Sequence, residues 1–159
     1  MSTERTPPSQ PGQGDILPPA WFFAAILLQL FAHFVVPVRA FVQWPWDLLG
    51  AALVFAGFGI TVYADWQFKR VNTPVHPYEK PLILVTDGVF SFSRNPMYLG
   101  LAVALLGIAI VLGSVTPFVV PPLFVWLITV RFINREEATL AAQFGETYHA
   151  YARRVRRWL

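Results

Sequence analysis

Cysteine is absent from this chain of 159 residues. Disulfides, thiolate metal sites and a cysteine nucleophile are therefore excluded. Histidine is almost as scarce, and His33, His76 and His149 lack the spacing of a metal-binding motif. Charge is thin as well: 13% of residues are charged and 55% hydrophobic, a balance wrong for an ordinary soluble domain and right for a membrane protein. The formal charge of +3 comes without any nucleic-acid reading motif. Its basic residues flank apolar segments and cluster at the C-terminus, a pattern suited to membrane lipids with anionic headgroups.

Four apolar runs stand out, near residues 20–36, 46–64, 96–112 and 115–133, each close to the ~20 residues a spanning helix needs. Gly113 and Ser114 alone separate the last two, which predicts a tight antiparallel hairpin. Pro117, Pro121 and Pro122 predict a kink early in the fourth run. Ahead of the first run, residues 1–15 are rich in Pro, Gln, Gly and Ser and read as a disordered tail, leaving 16–159 as a single membrane domain. If all four runs span, Arg39 alone among the twelve lysines and arginines lies on the far side. Both termini and the long loop before Arg94 are then cytoplasmic, in the inner membrane if the source is bacterial.

After the fourth run, Leu140, Phe144, Tyr148, Tyr151 and Val155 recur at three- and four-residue steps. This predicts a C-terminal amphipathic helix over 134–158, open to interruption at Gly145, with Arg153, Arg154, Arg156 and Arg157 available to lipid headgroups. Gln29 and His33, four apart in an apolar span, should bond each other or a neighbouring helix. Gly100, Ala104 and Gly107 share one face and permit close helix approach, or clearance for a ligand.

The segment Arg94-Asn95-Pro96-Met97-Tyr98-Leu99-Gly100 starts the third helix: Asn95 suits the N-cap and Pro96 the first helical position. With Arg94 beside it, such an end can attract a carboxylate or phosphate; the simpler reading is a capped helix entering the bilayer. Downstream, Glu136 and Glu137 are consecutive, so on a helix they point about 100° apart and cannot both face one ligand. One can hold a ligand ammonium or ribose while the other pairs with a base; an interfacial charge cluster is the alternative.

Taken in order, NTPVHP, LVTDGVFSFSRNPMYLG, a helical hairpin and REEATLAAQFGETYHAYARRVRRW resemble the isoprenylcysteine carboxyl methyltransferase family and the wider group of membrane phospholipid methyltransferases. The resemblance covers roughly residues 72–158. It implies an all-α integral membrane enzyme of about four transmembrane helices, with a cytosolic loop and C-terminal amphipathic helix forming the pocket for S-adenosyl-L-methionine, the methyl donor. Carried over by position, Leu82, Ile83, Leu84, Val85 and Phe90 line that cofactor. Arg94, Asn95, Pro96, Met97 and Tyr98 cradle it, Glu136 touches it, and Val75 or His76 lies near. Arg131, or Arg135 with a shifted spacing, is the implied substrate contact.

Two positions depart from the family pattern: Asn95 replaces its usual histidine and Phe90 its usual tyrosine. Asn95 can still bond a cofactor, but any proton transfer there is lost. A sulfonium methyl is already activated, so alignment suffices and no nucleophilic side chain is required. The implied acceptor is a lipophilic small molecule or lipid. Rival readings are a lipid-amine methyltransferase, an NADPH-dependent membrane reductase of related core, and a non-enzymatic membrane scaffold. The first predicts methylated headgroups, the second NADPH turnover, and the third no cofactor binding.

Overall fold

The computed structural model describes residues 17–36, 38, 44–70 and 83–159. The expected tail at residues 1–15 lies outside these, as do Arg39, Val75, His76 and Leu82. Every regular element among the described residues is helical: α1 (Pro18–Val35), α2 (Trp46–Arg70), α3 (Pro96–Leu112), α4 (Val120–Ile128), α5 (Asn134–Phe144) and α6 (Glu146–Arg154). Short 3-10 turns occupy Gly88–Ser91 and Thr116–Val119, and a π-helical turn, Thr129–Ile133, joins α4 to α5.

Three helical stretches are long and apolar enough to cross a membrane: Pro18–Val35, Trp46–Arg70 and the composite Thr116–Phe144. The fourth, α3, is a shorter apolar helix. Large side chains such as Phe23, Leu27, Phe34, Phe55 and Val62 are exposed on the bundle's outside, as expected where lipid tails rather than water are the solvent. This is an all-α membrane protein.

The central helix is α3, which packs on α1, α2 and α4. Glycine makes the α2–α3 approach close. A Cβ added at Gly107 would sit 2.5 Å from the Gly50 carbonyl oxygen, and one at Gly50 would sit 2.8 Å from that of Gly107. Gly57 and Gly100 face each other in the same reciprocal way. In a bilayer, where apolar side chains gain nothing by leaving the solvent, such backbone proximity is what holds helices together. Thr61 adds polar glue, donating to the carbonyls of Gly57 and Met97 at 3.0 and 3.1 Å.

On the other side of α3, Gln29 is fully buried and donates to the carbonyls of Leu105 and Pro117 at 2.9 and 3.4 Å. His33 meets the Ser114 hydroxyl at 2.8 Å, so both polar residues of α1 bond neighbouring helices rather than each other. Gly113 ends α3 with φ of 72°, a left-handed cap that glycine adopts without strain.

The fourth run opens irregularly, as its prolines predict: it begins as a 3-10 turn, and Pro117 and Pro121 occupy opening-turn positions of that turn and of α4, where a missing N–H costs nothing. A second irregularity follows in the π turn. The C-terminal helix is broken at Gly145, whose φ is 52°, and ends at Arg154 rather than 158. Val155 is extended, and from it the chain runs as an irregular strap, bent at Val155 and Arg157, to Leu159.

Candidate functional site

The strap and the start of α3 form one unit. The Arg94 backbone N–H donates to the Arg156 carbonyl at 3.0 Å, and the Asn95 side-chain nitrogen donates to that of Arg157 at 3.1 Å. Ser93 contributes twice: its hydroxyl donates to the Arg157 carbonyl at 3.3 Å and accepts the Asn95 N–H at 3.1 Å. Asn95 therefore occupies the N-cap position without capping through its side chain. Its amide ties down the C-terminus instead.

Val155 is buried against Tyr148 and Tyr151, Arg156 is exposed, and Arg157 turns inward to Glu137. Trp158 packs on the main core, beside a cluster that includes Tyr98, Phe132 and Ile133. Arg157, read from sequence as a headgroup ligand, is thus a structural cation.

The adjacent carboxylates have separate surroundings. Glu137 receives Arg157 through two bonds, Nε to Oε1 at 3.1 Å and Nη2 to Oε2 at 2.5 Å. Arg94 Nη1 approaches the same Oε1 at 3.1 Å and donates to the Tyr148 hydroxyl at 3.2 Å. The guanidinium fork expected to meet an anionic ligand is thereby committed to Glu137. Glu136 instead accepts a hydrogen bond from the neutral Tyr98 phenol, at 2.6 Å. The π turn just ahead of α5 shifts the helical register between α4 and these two acids, an irregularity that recurs at functional sites.

Electrostatics follow from the pairings. The hydrogen bond to Glu137 holds the Arg157 guanidinium above its ordinary value, so it is a permanent cation. Burial raises the Tyr148 phenol, with Glu137 adding to the rise and Arg94 opposing it. Burial likewise raises Tyr151, whose hydroxyl donates to the Phe90 carbonyl at 2.7 Å. Both phenols stay neutral at ordinary pH, Tyr148 accepting from Arg94 and Tyr151 donating to Phe90.

The apolar wall expected from residues 82–85 and 90 is divided. Val85 and Phe90 are buried with Ala64, next to Met97 and Phe68, and the Phe90 and Phe68 rings meet edge-on at 4.9 Å. Leu84 packs instead on the Tyr148–Tyr151 cluster, while Ile83 is exposed. Gln67 secures the intervening turn, accepting the Val89 N–H at 3.2 Å. Pro96 is buried, and the Tyr98 ring lies in the main core with its hydroxyl at Glu136. Arg131 and Arg135 are both exposed.

Sequence reasoning placed Tyr148 and Tyr151 on an apolar helical stripe without assigning them to the site, and it missed Ser93 and the strap carbonyls. The available signal was the three-residue spacing of Tyr148 and Tyr151, which puts two phenols on one helical face.

Relatives with this pattern are recognisable. A protein-S-isoprenylcysteine O-methyltransferase of Schizosaccharomyces pombe is 34% identical over 76 residues, covering 48% of this chain and 32% of the yeast protein. An uncharacterized protein of Haemophilus influenzae is 38% identical over 63 residues, covering 40% of this chain and 100% of that one. The chain thus spans about a third of the yeast relative's length. No solved structure matches. The phospholipid methyltransferase family model matches residues 46–147, from α2 through the two glutamates into α6, and the chain belongs to that family.

Proposed function

We propose that the chain is an S-adenosyl-L-methionine-dependent methyltransferase of the isoprenylcysteine carboxyl methyltransferase type, acting on a lipophilic acceptor that arrives from the bilayer. The observation that carries this reading is the division of labour between the two acids. Glu137 neutralises both arginines of the network, and Glu136, bonded to the Tyr98 phenol rather than to a cation, keeps acceptor capacity for a ligand.

The residues present fit the cofactor by their donor set. Glu136 can accept ribose hydroxyls or an ammonium, and Val85, Phe90 and Met97 supply an apolar cluster close in sequence to Tyr98. When bound, S-adenosyl-L-methionine would supply a methyl group already activated on a sulfonium sulfur. The chain's own task is then alignment: Tyr98 orients Glu136, Glu137 fixes Arg94 and Arg157, and the strap holds the start of α3. Arg131 and Arg135 are candidates to orient an ionised carboxylate acceptor. Residues 75, 76 and 82 complete the proposed cofactor shell. With the basic residues on one side, this end of the bundle and both termini face the cytosol.

A second reading, methylation of phospholipid amines, is favoured by the phospholipid methyltransferase family match. The test is calorimetric titration of the purified protein in detergent with S-adenosylhomocysteine, followed by labelled-methyl transfer into lipid extracts. Saturable binding and label in a prenylcysteine ester support the primary reading. Label in headgroup amines selects the second, and no binding to folded protein removes both.

A further inference from the structure

α3 has 17 residues, about 25 Å at the helical rise, against a hydrocarbon layer of about 30 Å. If α3 crosses the bilayer, its first residue, Pro96, therefore lies within about 5 Å of the headgroup boundary. Whatever hydrogen-bonds to Arg94 and Asn95 shares that depth. The strap does so through the Arg156 and Arg157 carbonyls.

At that level the surface is basic and greasy together. Arg156 points away from the inward Arg157, and both Arg156 and the preceding Arg154 are exposed, with no ion pair among the described residues. Arg153 differs, being matched to Glu146. Phe92 is 76% exposed and Leu159 72%, one beside Ser93 and the other at the end of the strap. A guanidinium pair flanked by apolar side chains at headgroup depth suits a phosphodiester whose acyl chains lie alongside.

We propose that Arg154 and Arg156 bind anionic phospholipid headgroups of the bilayer the protein spans, with Phe92 and Leu159 entering the adjoining interface. Headgroup binding holds the strap against α3. Because the strap's carbonyls anchor Ser93, Arg94 and Asn95 just ahead of Tyr98, anionic lipid also tightens the proposed cofactor site. This second consequence rests on the methyltransferase reading; the lipid contact does not.

The test is hydrogen exchange of the backbone amides of residues 155–159 in nanodiscs of phosphatidylcholine, with and without phosphatidylglycerol. Phosphatidylglycerol should slow exchange roughly thirtyfold, the order expected of two arginines at an anionic surface. High salt and the double variant Arg154→Gln/Arg156→Gln should each erase the difference, while the variant's melting temperature in phosphatidylcholine stays unchanged. Equal exchange in the two lipids overturns the proposal. So does equal slowing by soluble heparin in phosphatidylcholine discs, which would identify a general polyanion surface. S-adenosylhomocysteine titration in the same discs separates the claims: slowed exchange without binding in either lipid rejects the methyltransferase reading and leaves the lipid contact standing.

Discussion

The α2–α3 seam and the polar end of the bundle solve the same problem, fixing α3, by opposite means. Along the seam, Gly50, Gly57, Gly100 and Gly107 bring backbones together, and the stabilisation is dispersion at short range. At the end, Glu137, Arg94, Arg157, Asn95 and Ser93 fix α3 through charge and directed hydrogen bonds. The seam tolerates no added atom but requires no charge. At the polar end Glu137 absorbs the local positive charge, which leaves Glu136 bonded to the Tyr98 phenol.

The contrast is sharpest where a side chain cannot be accommodated. Gly57→Leu should prevent α2 and α3 from docking, and folded monodisperse protein should be lost from detergent extracts. The milder Gly57→Ala should cost ~1–3 kcal/mol, read as a lower melting temperature. If both variants melt like the parent, the close seam does not hold the helices.

Glu137→Ala comes next. It leaves Arg94, whose side chain is only 16% exposed, without its carboxylate. Breaking such a pair costs ~3–5 kcal/mol, reduced here because Arg157 is partly solvated. Melting and proteolytic release of the strap should both report the change. An unchanged melting temperature would make the polar end ornamental.

Tyr98→Phe removes the donor to Glu136 and leaves the pairs of Glu137 with Arg94 and Arg157 in place. Stability should fall little, whereas S-adenosylhomocysteine affinity should fall about tenfold, the order of one hydrogen bond to a charged group. Titration calorimetry separates the two effects. At the small end lies Glu146→Gln: its pair with Arg153 is fully exposed, and neither melting nor binding should move.

Legibility in the sequence followed the same divide. The limits of α3 were readable because its signals are local: Asn95-Pro96 before the run and Gly113 after it. The small-residue face on α3 was equally visible, though its partners on α2 were not. The strap was unreadable because Arg153 to Arg157 continue a helical charge pattern, and only tertiary bonds from Ser93, Arg94 and Asn95 favour extended backbone there. Consecutive glutamates implied only that the two acids could not share one partner. That Glu137 is the one that takes the arginines depends on the π turn at Thr129–Ile133 and on Arg157 arriving from far along the chain. Arg94 was readable as a cation at a helix start, but its partner was not.

The most direct test of the account is S-adenosylhomocysteine titration of Glu136→Gln beside its melting curve. The account predicts a melting temperature near the parent's and a loss of binding well beyond that of Tyr98→Phe. Parent-like affinity in Glu136→Gln would contradict it.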